Sequence, residues 1–157
     1  MMLASLTPVA DGYEARFERR LKHTAEKVWS SLTVNDKLAE WFPELRVEEL
    51  REGGSIRFDM QDGTFKELEI LELREHSVLE YAWGEDRVRF ELYPEPGGCR
   101  FVLIETIREM TGHTPKDLAG WHVCLDVIAA LLDGRKIVRM EEWELAYEDY
   151  KQLLRTF

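Results

Sequence analysis

From Tyr13 to Lys22 the chain alternates, with Tyr13, Ala15, Phe17 and Leu21 on one side and Glu14, Arg16, Glu18, Arg20 and Lys22 on the other. Period two with one greasy side predicts a half-buried strand whose outer face is wet. The period then lengthens. Thr24 is placed to cap a helix in which Val28, Trp29 and Leu32 recur at helical spacing. Asn35 starts a second short helix carrying Leu38, Trp41 and Phe42 before Pro43 stops it. A bent helical hairpin after the first strand is expected.

Between Glu44 and Arg108 the pattern is almost entirely strand, interrupted at Gly53-Gly54, Asp62-Gly63, Gly84-Glu85-Asp86 and the run Pro94 to Gly98. Ile56, Phe58 and Met60 form one apolar side, Leu79, Tyr81 and Trp83 a second, and Val88, Phe90 and Leu92 a third. Between Phe65 and Leu73 the phase slips, because Leu68 and Ile70 share one parity and Leu71 and Leu73 the other. A β-bulge or bend is expected there. Hairpin-linked strands in this number predict an antiparallel meander with one apolar face, and something has to cover that face.

The segment from Asp117 to Gly134 is the natural cover. On a helix, Leu118, Trp121, Leu125, Ile128 and Leu132 fall in one stripe at spacings of three and four, and Thr114 before Pro115 reads as its cap. After the basic stretch Arg135 to Arg139, a last helical pattern carries Trp143, Tyr147, Tyr150 and Leu154. This stripe either closes on its own domain or serves as a homodimer interface. No internal repeat or linker divides the chain.

Charge narrows the partners. A formal net charge of -10 over 157 residues opposes a phosphate backbone and excludes nucleic acid as the expected partner. The longest apolar run, Val127 to Leu132, is too short to insert into a membrane, and the opening MMLASLTPVADG lacks the charged start and apolar stretch of a secretory signal. A cytoplasmic protein is expected. Cys99 and Cys124 form no CxxC pair, and in a reducing compartment they read as two buried thiols.

The order strand, helical hairpin, antiparallel meander, long helix resembles the helix-grip fold of the START-like, or Bet v 1-like (SRPBCC), superfamily. His23 to Trp29, Leu38 to Phe42, Gly53 to Phe58, Leu79 to Trp83, and Gly120-Trp121 with its leucine-spaced helix are similar to the family named after the activator of Hsp90 ATPase, in its bacterial single-domain form. The resemblance covers roughly residues 13 to 155. It implies an α+β chain in which a curved antiparallel sheet wraps around a long C-terminal helix. The expected START-like domain spans residues 1–157, with a core over about 13–134 and a helical extension over about 141–155. The superfamily's cavity between sheet and helix serves lipids, sterols, metabolites or cyclisation chemistry in different members, so the fold does not name a function. The eukaryotic activator carries a separate N-terminal domain for much of its chaperone work. This chain has no room for one, which puts a chaperone partner behind a small-molecule ligand.

The run Trp121 to Asp126 places His122, Cys124 and Asp126 close in sequence, but winding it into a helix separates them. Cys124 lies roughly 160° around the axis from His122, while His122 and Asp126 form an i, i+4 pair at the margin of the stripe. No HExxH, GxSxG or phosphate-binding glycine loop is present, so neither metal nor cofactor is implied and no residue is marked as catalytic. On the last strand Phe101, Leu103, Glu105 and Ile107 share a parity; if that side faces the helix, a carboxylate sits on an apolar inner face. The opposite parity, Val102 and Ile104, is apolar too and would leave Glu105 outside.

The aromatic set Trp41, Phe58, Tyr81, Trp83, Phe90, Phe101 and Trp121 reads either as core or as the wall of a cavity. With Glu105, His122 and Leu125 it forms the candidate ligand-binding set. Three functions are consistent with it. The first is a non-catalytic protein holding a hydrophobic or amphipathic small molecule between sheet and helix. The second is a cyclase- or lyase-type enzyme with Glu105 or His122 as acid or base. The third is an interaction module.

Overall fold

The computed structural model describes residues 3–156; Met1, Met2 and Phe157, counted in the expected domain, lie outside the described residues. Eight strands and four helices follow one another as β1 (Ser5–Val9), β2 (Gly12–Leu21), α1 (Ala25–Thr33), α2 (Asn35–Trp41), β3 (Leu45–Glu49), β4 (Ser55–Asp59), β5 (Phe65–Arg74), β6 (Val78–Trp83), β7 (Asp86–Glu95), β8 (Gly98–Ile107), α3 (Thr114–Asp133) and α4 (Arg139–Leu154). The strands form one antiparallel sheet in the order β1-β2-β8-β7-β6-β5-β4-β3. The last strand of the meander therefore returns to the first long strand, and α3 lies in the concave face. This is the expected helix-grip arrangement. Among the described residues no helix is long and apolar enough to cross a membrane.

The alternation along the strands sets the faces. Ala15 and Phe17 of β2, Leu79 and Tyr81 of β6, and Val88, Phe90 and Leu92 of β7 are buried, and charged residues between them face out. The phase slip in β5 is a register shift between Ile70 and Glu72 opposite β6, and a second lies between Val47 and Glu49 in the edge strand β3. Such shifts bend and twist a sheet, as curvature around a helix requires.

Three local features differ from expectation. The N-terminal residues contribute a strand: β1 pairs with β2 from Ser5↔Arg16 to Val9↔Gly12, so the helical hairpin follows the second strand. Its mostly exposed five residues carry too little apolar signal to be read alone. Thr114 does not cap α3 but is its first residue; its Oγ1 accepts the Thr111 N–H at 2.9 Å and holds the preceding loop. The burial of α3 also exceeds one stripe. Ala119, His122, Val123 and Cys124 are buried along with Leu118, Trp121, Leu125 and Ile128, because α4 covers the side that the sheet does not.

The caps at Thr24 and Gly134 fix where helices start and stop. Thr24 Oγ1 accepts the Lys27 N–H at 3.2 Å. Gly134, with φ +71°, ends α3 in the left-handed region and lets the chain turn back into α4. In α4, Ala146 and Tyr150 are fully buried and Trp143 and Tyr147 pack partly against the same core, so the C-terminal aromatic stripe closes on its own chain. Asn35 does not cap α2. Its amide reaches the edge strand, where Oδ1 accepts the Val47 N–H at 2.7 Å and Nδ2 donates to the Val47 carbonyl at 3.1 Å.

Candidate functional site

Where the ends of α2, β4 and β6 meet the first half of α3, a cleft of about 660 Å³ opens to solvent. Four rings wall it. Trp83 and Trp121 lie 5.0 Å apart between ring centroids, Phe58 and Trp83 5.5 Å, Phe42 and Phe58 5.8 Å, and Phe42 and Trp121 6.0 Å. Trp83–Trp121 and Phe42–Phe58 pack edge to face and the other two pairs are tilted, and all four rings line the cleft. Gly120 completes the α3 wall. A Cβ at this position would meet nothing within 4 Å, so the helix leaves open space where any other residue would fill it. Glycine inside a helix costs about 1 kcal/mol relative to alanine, which makes this gap expensive in stability.

The polar lining is uneven. Arg139, from the start of α4, donates from Nη1 to the Trp41 carbonyl at 2.7 Å and from Nη2 to Cys124 Sγ at 3.1 Å. Burial pushes the Cys124 thiol up to about 12 against the opposing effect of Arg139, so the thiol is neutral at the back of the cleft. Lys116 stands at the rim. On the other side Asp117, in the first turn of α3, accepts the Trp83 indole N–H at 3.2 Å.

Asp117 and Trp83 also belong to a second, polar cleft of about 570 Å³ beyond the start of α3, which Glu85, Asp86, Glu109 and His113 help to line. Behind Asp117 is Glu105. It faces inward from β8 between the cross-strand neighbours Ala15 and Val88, has no solvent exposure, and neither carboxylate oxygen has a hydrogen-bond partner in good geometry. Burial raises its pKa well above the usual carboxylate range, and the neighbouring Asp117 and Asp86 carboxylates raise it further. Asp86 itself is raised, chiefly by burial.

His122 occupies the opposite side of α3, away from both clefts. The Tyr150 hydroxyl accepts the Ala4 N–H at 3.0 Å and lies 2.8 Å from His122 Nδ1, so its own proton is left to donate to the ring. Arg19 Nη2 approaches the same nitrogen at 3.3 Å, which makes Nδ1 the acceptor and leaves the ring proton on Nε2. Nε2 lies 3.4 Å from Asp126 Oδ2, outside good hydrogen-bond geometry. Burial, then the Arg19 charge, lower the His122 pKa to about 4 against the pull of Asp126.

Of the ten candidate residues, Phe58, Trp83 and Trp121 line the aromatic cleft. Trp41, Tyr81, Phe90, Phe101 and Leu125 fill the interior instead: Phe101 stacks on Phe90 at 5.9 Å, and Trp41 donates its indole N–H to the Ser31 carbonyl at 2.7 Å. Glu105 sits beneath Asp117, and His122 belongs to the separate network at Tyr150. Among the cleft residues not marked from sequence are Phe42, Met60, Asp117, Gly120, Cys124 and Arg139. Asp117, four positions before Trp121, shares its helix face, whereas Gly120, one position before, lies about 100° around the axis and carries no such signal. Among the described residues no group of three or more His, Cys, Asp or Glu side chains is arranged to hold a metal.

Solved structures with this architecture span nearly the whole chain. A conserved protein of unknown function from Enterococcus faecalis superposes with a TM-score of 0.80 at 24% identity, covering 96% of this chain and 91% of that one. CalU16 from Micromonospora echinospora gives 0.74 at 20% identity, with 96% and 94% covered. A Bordetella parapertussis protein solved by NMR gives 0.73 at 24% identity, with 97% and 92% covered. At these identities the likeness shows the fold. No curated protein matches the chain. The model of the activator of Hsp90 ATPase homolog 1-like proteins matches residues 22–133, from the end of β2 to the end of α3, and the chain belongs to that family.

Proposed function

We propose that this protein binds a hydrophobic or amphipathic small molecule in the aromatic cleft between the sheet rim and α3. The observation that carries this reading is the open wall at Gly120 beside four ring-lined surfaces: the helix gives up stability to keep space next to Trp83 and Trp121. An apolar concavity with a few polar groups at its margin is what a small-molecule site requires.

The uncharged fluorescent probe N-phenyl-1-naphthylamine tests it. Wild-type protein is expected to enhance its emission saturably at one site, and Gly120→Leu, whose Cβ enters open space, to abolish the enhancement. Gly120→Ala serves as the fold control. Absence of saturable enhancement in the wild type, or its persistence in a folded Gly120→Leu variant, overturns the reading.

A second reading, an acid–base enzyme, is favoured by one observation: Glu105 is a buried carboxyl with a raised pKa beside Asp117. In that reading Asp117 meets the substrate and Glu105 tunes it, because Asp117 lines both clefts and Glu105 neither. Loss of turnover on an identified substrate in Glu105→Gln, with binding retained, supports it; unchanged turnover rejects it.

A further inference from the structure

The two clefts share only Trp83 and Asp117, and the chemistry on either side of that junction differs. Outward lies the aromatic wall of Phe42, Phe58, Trp83 and Trp121. On the other side lies the polar cleft, with Asp117 at the junction, half-buried Asp86 on its wall and exposed Glu85 at its rim, and Glu105 is buried behind Asp117. Glu105 is the informative member. A fully buried carboxyl with both oxygens unpartnered is costly, and native interiors rarely keep one without a role. Asp117 lies beside it and is, after burial, the strongest influence on it, through its side chain and its charge. Two carboxyls this close share negative charge poorly unless a cation or a proton comes between them.

Lys116 and His113 line the two clefts near Asp117, but neither is paired with it. Among the described residues no Lys, Arg or His forms an ion pair with Asp117 or Glu105. Arg108, in the polar cleft, pairs with Glu85 at 3.3 Å, and Arg139 is engaged by the Trp41 carbonyl and the Cys124 sulfur. Indole faces beside an acid are the setting in which ammonium groups bind, through attraction to the ring quadrupole and to the carboxylate together. A net charge of -10 also draws cations toward the molecule as a whole.

We propose that the polar end of the ligand is a cationic amine, seated against Asp117 and the Trp83 and Trp121 rings where the two clefts meet. This rests on the proposed small-molecule role of the aromatic cleft and names the class of ligand it takes: an aromatic or aliphatic amine whose apolar body lies along Phe42 and Phe58. The ammonium group meets the Asp117 carboxylate, which the Trp83 indole N–H holds in place for it.

Isothermal titration calorimetry with three ligands on one skeleton tests this: 2-naphthylmethylamine, 2-naphthylmethanol and 2-naphthylacetate at neutral pH. The amine is expected to bind the wild type about tenfold more tightly than the alcohol, with the carboxylate weakest. Asp117→Asn, which keeps an oxygen to accept the Trp83 N–H, is expected to bring the amine-to-alcohol ratio to within about threefold. Glu67→Gln removes one charge from the exposed face of β5 and is expected to leave the ratio unchanged, separating local recognition from overall charge. Equal or tighter binding of the alcohol or the carboxylate overturns the amine assignment and leaves the cleft reading intact. A preference that survives Asp117→Asn, or that falls equally in Glu67→Gln, overturns it as well. Binding by none of the three overturns both.

Discussion

His122 and Glu105 are both fully buried polar residues packed against the gripped helix interface, one from α3 and one from β8, and the fold treats them oppositely. Around His122 the structure assembles Tyr150 from α4, Ala4 ahead of β1, Arg19 from β2 and Asp126 one turn along α3. Around Glu105 it places Ala15, Val88 and a second carboxylate. A buried group held through one atom by donors from several elements, as His122 is through Nδ1, is a structural fastening, here tying both ends of the described chain to the central helix. A buried group left without partners lowers stability, and its neighbourhood is the place to look for function.

The contrast is breakable at each end. Tyr150→Ala removes a fully buried ring and the hinge of the His122 network together, and is expected to cost about 3–5 kcal/mol in urea denaturation. Acidification attacks the same network without a mutation. His122 titrates near 4 in the folded chain against 6.5 ordinarily, so between those values the unfolded state binds the extra proton. The stability it contributes is whole above pH 6.5 and falls by roughly 3 kcal/mol as the pH drops to 4. Subtracting the curve of a His122→Gln variant isolates this fall, and a flat difference curve refutes the assignment.

Glu105 has the opposite sign. Its folded pKa is raised, so the stability tied to its proton is complete below about 4.5 and is lost as the pH rises. Glu105→Gln is therefore expected to stabilise the protein at pH 8, by roughly 1–3 kcal/mol, and to be near neutral at pH 4. A destabilised variant at pH 8 would mean that Glu105 is satisfied after all. The smallest effect belongs to Tyr150→Phe, which keeps the ring and deletes the hydroxyl between Ala4 N–H and His122 Nδ1. A loss of about 1 kcal/mol is expected, since Arg19 still serves His122.

Much of this was legible in the chain and some was not, for identifiable reasons. Period two along β6 and β7 and the leucine spacing of α3 gave the sheet, the helix and their facing sides. The parity of β8 stayed ambiguous because Val102, on the outer side opposite Glu18 and Glu91, is also fully buried. The aromatic set mixed core with cleft because ring size alone does not distinguish Phe90 from Phe58. Asp117 does not stand out in the sequence, because an acid in the first turn of a helix is ordinary complementation of the dipole. Arg139 was beyond reach, since only the turn at Gly134 carries it back to a carbonyl 98 residues away in sequence.

The open sheet ends at β1 and β3, and an exposed edge is a template on which another extended chain can add. At β1 Pro8 lacks an N–H to offer. At β3 the bulge after Val47 and the charges of Arg46, Glu48 and Glu49 spoil the register, and the Asn35 amide occupies both the N–H and the carbonyl of Val47. One side chain thus imitates a single residue of the missing ninth strand and stops there. Through that plug the helical hairpin acquires a second duty: guarding the molecule against polymerising along its own hydrogen-bond direction.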